Sequence, residues 1–370
     1  MDLWWTLPYV GFATVGISLA LVLVAVYFLY IQGPPKASGE RSLKLFRSSL
    51  PLGPGAPAGA PAPAVAPARA SATPAIAPLG RPADVKLPNG LNIRQYHKME
   101  TDWLFKEIFV DGTYGDLKTD DGKVVELKFE PGMNVVDVGG NIGMFALYAW
   151  HRCGGKATVH SFEPMPAIFD VLKENCDRVN EGSISEGSKA GEARLVPHKV
   201  ACSTEAGSIE FQFHPYMSLW STLDAEFDGA RHESMRDEVG DLGPSLAPGP
   251  LAFLRPLLLF LAGRMLTSLQ RTTTVEARTA RLSDELAGLE GRIGLLKIDV
   301  EGAELQVMAG LDDADWARVD QVAMEVESEA NRDKACAILS RHGLSPLYAP
   351  AIKIEGREDT RVWNVVAVRK

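Results

Sequence analysis

The 370-residue sequence predicts an α/β fold, a mostly parallel sheet covered by helices on both faces, preceded by one transmembrane helix. Three observations carry that reading. The charge is split between a basic N-terminal part and an acidic body. A long uncharged apolar run opens the chain. Beyond Arg81, short β-branched runs alternate with stretches of helical character.

The whole chain holds 38 Lys+Arg and 47 Asp+Glu, a net charge of −9. Residues 1–82 contain six of the basic and two of the acidic residues, a net of +4; this leaves 32 and 45, a net of −13, on residues 83–370. An acidic body lacks the positive charge that neutralises phosphates, so no nucleic-acid partner is expected. Its four cysteines (Cys153, Cys176, Cys202, Cys336) are too scattered for a disulfide framework and show no zinc-ligand spacing. They read as buried free thiols, and no metal site is expected.

No charged residue lies between Asp2 and Lys36, and residues 7–31 are almost wholly apolar. Roughly 20 helical residues cross a bilayer core, so this run is long enough to span. Trp4, Trp5 and Tyr9 at one end and Tyr27 and Tyr30 at the other fit interfacial positions. A secretory signal would have a basic start and a shorter apolar core. Residues 1–35 are therefore expected to be a single-pass membrane anchor. Lys36, Arg41, Lys44 and Arg47 follow the run, and the positive-inside rule places the body on the cytoplasmic side. A Golgi or endoplasmic-reticulum lumenal topology, or organelle import, are the alternatives. Residues 36–82 are a basic, then Pro/Ala-rich linker: from Pro51 to Pro82, 24 of 32 residues are Pro, Ala or Gly, too little apolar bulk to offset the entropy of ordering.

In the body, 83–370, candidate strands are 133–138, 157–162, 194–201, 294–300 and 319–326, with helices expected over 142–153, 165–180, 302–310 and 329–342. The last two strands, 344–349 and 362–369, have only a short connection and are expected to pair antiparallel at a sheet edge.

Three motifs sit where such a sheet binds ligands, at the carboxyl ends of its strands. The first is Asp137-Val-Gly139-Gly140-Asn141-Ile-Gly143, a glycine-rich strand-to-helix turn that lets backbone approach a ligand. Its spacing is not the GxGxxG of a dinucleotide site. An acid there repels pyrophosphate but suits the ammonium of S-adenosyl-L-methionine. The second is Glu163, in the Phe162-Glu163-Pro164 step that closes the second strand, placed to accept hydrogen bonds from ribose hydroxyls. The third is Lys297-Ile-Asp299-Val-Glu301-Gly302-Ala-Glu304. There the strand's period of two sends Asp299 and Glu301 to one side. The three carboxylates could position a substrate hydroxyl, act as general base or bind a divalent ion, with Asp299 and Glu301 the candidate bases and Glu304 expected to cap or solvate the next helix.

These residues resemble the FkbM-type S-adenosylmethionine-dependent methyltransferases. The matching stretches are VVDVGGNIGMFALYA (135–149), VHSFEPMPAIFDVLKENC (159–176), KVACSTEAGSIEF (199–211) and LLKIDVEGAELQVMAGL (295–311); TDWLFKEIFVDGTYGD (101–116) matches more loosely. The resemblance runs from about residue 100 to the C-terminus. It implies the seven-stranded class I methyltransferase sheet, which is Rossmann-like, with Asp137, Gly139 and Asn141 at the methionine end of the cofactor, Glu163 at the ribose, Ala201 near the adenine, and Asp299 and Glu301 beside the transferred methyl. Gly140 and Gly143 complete the cofactor loop, and Gly140 stands where the family usually has Ala.

The expected activity is membrane-anchored O-methylation of a hydroxyl on a small molecule, lipid or glycan. A protein methyltransferase acting on membrane-associated partners and a non-catalytic scaffold are the alternatives. His214 is a second candidate base. The body also carries an insertion at about 224–272, and its apolar segment 251–269 is too short to span a bilayer. That segment is expected to be either an active-site lid or an interfacial helix.

Overall fold

A computed structural model of the chain describes residues 81–119, 122–186, 194–213, 273–351 and 362–370, together with positions 256, 259 and 260. The expected anchor at 7–31, the linker up to residue 80, His214 and most of the 224–272 insertion lie outside the described residues. Among the described residues, no helix is long and apolar enough to cross a membrane.

The main sheet has seven strands: β1 (Asn134–Val138), β2 (Thr158–Phe162), β3 (Arg194–His198), β4 (Ile293–Ile298), β5 (Gln321–Val326), β6 (Leu344–Pro350) and β7 (Trp363–Arg369). Their spatial order is β6-β7-β5-β4-β1-β2-β3. Neighbours from β5 through β3 pair in parallel, while β7 pairs antiparallel with both β5 and β6. The closing hairpin therefore sits at the edge, with its second strand inserted beside β5. The parallel pairs need crossovers, supplied by α2 (Met144–Arg152), α3 (Pro166–Asn180), α4 (Glu304–Ala309) and α5 (Glu329–Arg341), which follow α1 (Lys98–Phe105) in chain order.

Local chemistry sets these helix starts. Gly143, at φ +91°, turns the chain into α2; Pro166 opens α3, where its missing N–H costs nothing; the Ser328 side chain caps α5 by accepting from Asn331 N at 3.1 Å.

The strands are buried on both faces, and alternate residues feed two cores. Val135, Val159, Leu195 and Leu295 pack with Phe145, Leu147 and Leu172 of α2 and α3 on one face. Val136, Val138, Phe162, Leu296, Ile298 and Met324 pack with Val307, Trp316 and Leu339 on the other. All four cysteines are free thiols; Cys153, Cys176 and Cys202 are buried and Cys336 partly so.

One expectation needs correction. The single strand expected over 194–201 is two elements: β3 ends at His198, and Ala201–Ser203 pairs instead with Thr273–Arg281 in a separate three-stranded sheet with Gly207–Phe213. Lys199 and Val200 break the ladder, so Ala201 belongs to the small sheet, where it opposes Thr279.

Candidate active site

Sheet register assembles the site. Ser161 of β2 opposes Asp137 of β1, which opposes Lys297 of β4, so three polar side chains lie in one row across three apolar strands. Each is buried, Asp137 completely. Ser161 Oγ donates to Asp137 Oδ2 at 2.7 Å, and Lys297 Nζ lies 3.3 Å from Asp137 Oδ1. A lone charge in this place would be prohibitive, and the row pairs it.

Above the row, residues 139–143 form the glycine-rich loop expected to hold the cofactor. Gly139 has φ +86°, and a Cβ there would run into the Asp299 carbonyl oxygen; a Cβ on Gly140 would run into Ser161 Oγ. These glycines let the loop pack against its own scaffold. An alanine at the Gly140 position does not fit over the Ser161–Asp137 hydrogen bond as it stands here. Asn141, at φ +45°, is also left-handed, a conformation that costs energy in a residue with a Cβ.

Glu163, just past β2, holds this loop. Its Oε2 accepts from Asn141 N at 3.0 Å and its Oε1 from Met165 N at 2.8 Å. Burial pushes its pKa up to about 7, against the two backbone N–H groups that favour the carboxylate.

Asp299 and Glu301 lie beyond the end of β4, in a turn where Glu301 is left-handed at φ +49° and Gly302 at φ +100°. Strand alternation therefore stops before Glu301, although the charges of Asp299 and Glu301 both act on Glu107, Glu304 and Glu325. Lys297 Nζ lies 3.5 Å from Asp299 Oδ2. The same oxygen accepts from the Tyr114 hydroxyl at 2.8 Å. Glu304 opens α4 and is buried; its Oε1 accepts from Gly302 N at 2.7 Å, so it ties down the turn and is not solvated. Burial raises its pKa to about 7.

Four groups of the site were not singled out in the sequence. Lys297 Nζ donates to the Gly139 carbonyl at 2.8 Å and stands over the Tyr114 and Phe145 rings at 5.5 and 5.7 Å. Burial disfavours its charge, but Asp137 and Asp299 outweigh that and raise its pKa. Tyr114 is buried edge-on against Phe145. Glu107 sits in a π-helical turn, Lys106–Val110, and burial, followed by the charge of Asp299, pushes its pKa up to about 8. Glu325 of β5 is raised well above the carboxylate range by burial and then by the charges of Asp299, Glu107 and Glu301.

This carboxylate-rich edge suits a cationic, phosphate-free cofactor, and the details agree with that choice. Asp137 Oδ1 is buried without a hydrogen-bond partner among the described residues, although its charge is met by Lys297. Glu163 keeps further acceptor capacity on both oxygens for ribose hydroxyls. Among the described residues, no group of acids, histidines and cysteines is arranged to hold a metal ion.

A parallel sheet of this order, with an acid at the end of β1, a glycine-rich turn and an acid at the end of β2, defines a class I methyltransferase-like fold. The methyltransferase FkbM domain matches residues 137–343, and the chain belongs to that family. It is 35% identical over 276 residues to the 31-O-demethyl-FK506 methyltransferase FkbM of Streptomyces tacrolimicus, covering 72% of this chain and 92% of that protein. It is 30% identical over 280 residues to methyltransferase 1 of Beauveria bassiana, covering 74% and 91%. The hexuronic acid methyltransferase AglP of Haloferax volcanii is 26% identical over 211 residues, covering 56% of this chain and 62% of that one. Among solved structures, an FkbM methyltransferase from Methylobacillus flagellatus KT aligns with a TM-score of 0.37 at 13% identity, over 65% of this chain and 44% of that one. The chain is an S-adenosylmethionine-dependent methyltransferase.

Proposed function

We propose that this enzyme methylates a hydroxyl oxygen on a small molecule, lipid or glycan, and that it works at a membrane surface. The observation that carries the chemistry is the state of Asp299. Its Oδ2 is engaged by Tyr114 and Lys297, while Oδ1 has no partner among the described residues and its side chain is 30% exposed. A carboxylate held on one oxygen and open on the other is oriented to accept a proton.

Asp137, the loop 139–143 and Glu163 would hold S-adenosylmethionine, which supplies a methyl group whose departure leaves a neutral thioether. Ala201, expected near the adenine, is buried in the small sheet. The protein's task is to align the acceptor and exclude water. Asp299 Oδ1 takes the hydroxyl proton as the acceptor oxygen becomes a methyl ether. Glu301 stands two residues on, its backbone in the left-handed turn, and is the second candidate base. The 31-O position in the name of one relative and the hexuronic acid in that of another support an oxygen-bearing acceptor.

Membrane attachment rests on the uncharged run 7–31 with its aromatic ends, and the cytoplasmic placement of the body on the basic residues that follow it. Incubation of the full chain with methyl-labelled cofactor and a fractionated membrane extract tests the acceptor class. Label in lipid or glycan supports the reading; label in protein supports the protein methyltransferase instead. Protease protection of the C-terminus in sealed vesicles tests the topology.

A further inference from the structure

We infer that Lys297 is a positioning residue that couples the cofactor loop to Asp299, so that a change at Asp299 is felt in the affinity for the methyl donor. Its ammonium donates to the Gly139 carbonyl at 2.8 Å and the Val138 carbonyl at 3.5 Å, and it lies within ion-pair distance of Asp137 Oδ1 at 3.3 Å and Asp299 Oδ2 at 3.5 Å. The Tyr114 and Phe145 rings cover its remaining side, and the side chain is 3% exposed. No water is needed to satisfy it, and it has little room to move without disturbing both strand ends.

The backbone ties the same two places together. Asp299 N donates to the Val138 carbonyl at 3.0 Å, and Gly139 is packed so closely on the Asp299 carbonyl that no side chain fits between them. The donor-side loop and the acceptor-side acid are therefore one mechanical unit, with the Lys297 charge at its centre.

The charge argument gives the direction. One cation is shared by two carboxylates, so neutralising Asp299 leaves Lys297 matched against Asp137 alone and shifts it toward the loop. That adds positive charge where a cationic cofactor must sit. S-adenosylmethionine loses affinity, and S-adenosylhomocysteine, which lacks the sulfonium charge, loses less. If Asp299 acted on the donor by direct contact, the loss would persist without Lys297.

The test is calorimetric titration of the full chain and of its D299N, K297M and K297M/D299N variants with S-adenosylmethionine and S-adenosylhomocysteine. The coupling predicts that D299N weakens S-adenosylmethionine binding about 10-fold, within the usual range for coupled sites. It predicts a loss roughly three times smaller for S-adenosylhomocysteine, and a less than about twofold effect of D299N once Lys297 is methionine. Equal losses with and without Lys297, or no loss in D299N, overturn the inference. Should K297M not fold, hydrogen exchange of D299N without ligand decides. Amides of residues 138–141 exchanging at least about threefold faster than in the parent support the coupling, and unchanged exchange overturns it. Neither measurement involves a methyl acceptor, so the outcome is independent of which acceptor the enzyme uses.

Discussion

The Tyr114 hydroxyl donates a hydrogen bond of 2.8 Å to Asp299 Oδ2, joining positions 185 residues apart in the chain. Tyr114 lies upstream of the stretch matched by the family, which begins at residue 137. The segment carrying α1 and the π-helical turn thus helps to build the site and is more than a decoration on its edge. Phe109 and Phe129 pack edge-on against Tyr148 of α2 and hold that segment to the body.

Replacing Tyr114 with Phe keeps the ring against Phe145 and removes only the hydroxyl. A buried hydrogen bond to a charged group contributes roughly 1.5–3 kcal/mol. Label transfer into the accepting extract fraction should fall roughly 10-fold, while S-adenosylmethionine affinity stays within about twofold. Unchanged transfer would mean that Tyr114 only packs.

Gly140→Ala tests the tight seat above Ser161. The added methyl must displace Ser161 Oγ from Asp137, and such overpacking typically costs about 1–3 kcal/mol. Urea denaturation should show a loss of that size. Adding Ser161→Ala removes the obstructing oxygen, so the double variant should lose less than the sum of the two single changes. Strict additivity would show that the alanine is accommodated in some other way.

Glu163→Ala removes the acceptor that holds Asn141 N and Met165 N and that faces the expected ribose site. S-adenosylmethionine affinity should fall roughly 10- to 100-fold, as expected for hydrogen bonds to a charged group. Titration of the variant at pH 8, where the parent's carboxylate is ionised, is the relevant measurement, and full retention of affinity would remove Glu163 from the cofactor site.

Four acids give the protein a pH signature. Burial is the main cause that raises the pKa of the buried Glu163 and Glu304 to about 7 and of the half-buried Glu107 to about 8, and it lifts Glu325 well above the carboxylate range. In each case the folded state binds more protons than the unfolded state between the ordinary and the raised value, so stability falls as pH rises through that interval. His160 and His198, pushed down to about 4 by burial, act in the opposite sense, but only below their ordinary value of 6.5. Above that pH only the acids count within this set. The melting temperature should therefore drop between pH 6.5 and 8, and Glu107→Gln should shrink the drop above pH 7. A melting temperature that climbs over this range would show that these carboxyls ionise freely.

Much of this site was legible in the sequence, and what was missed has physical reasons. The strand–turn–helix rhythm, the acid before the glycine loop and the Phe-Glu-Pro step are local patterns, and local backbone chemistry fixed them. Lys297 left a signal that went unused: one lysine inside the apolar run GLLKI of a doubly buried strand must have a carboxylate partner. Glu325, alone in VAMEV, left the same one. Tyr114 lay within the looser family match at 101–116, but its role depends on a contact across 185 positions that no local pattern encodes. Strand alternation could not be carried past Ile298, where β4 ends, so the relation of Asp299 to Glu301 rests on the turn that follows.

The most direct test of the account is methyl transfer at saturating S-adenosylmethionine by the parent enzyme and by Asp299→Ala, followed by chemical identification of the labelled product. The account predicts a methyl ether on a lipid, glycan or small molecule with the parent, and transfer reduced at least about 100-fold by the variant, as expected for loss of a general base. Label on protein nitrogen, or a variant as active as the parent, would contradict it.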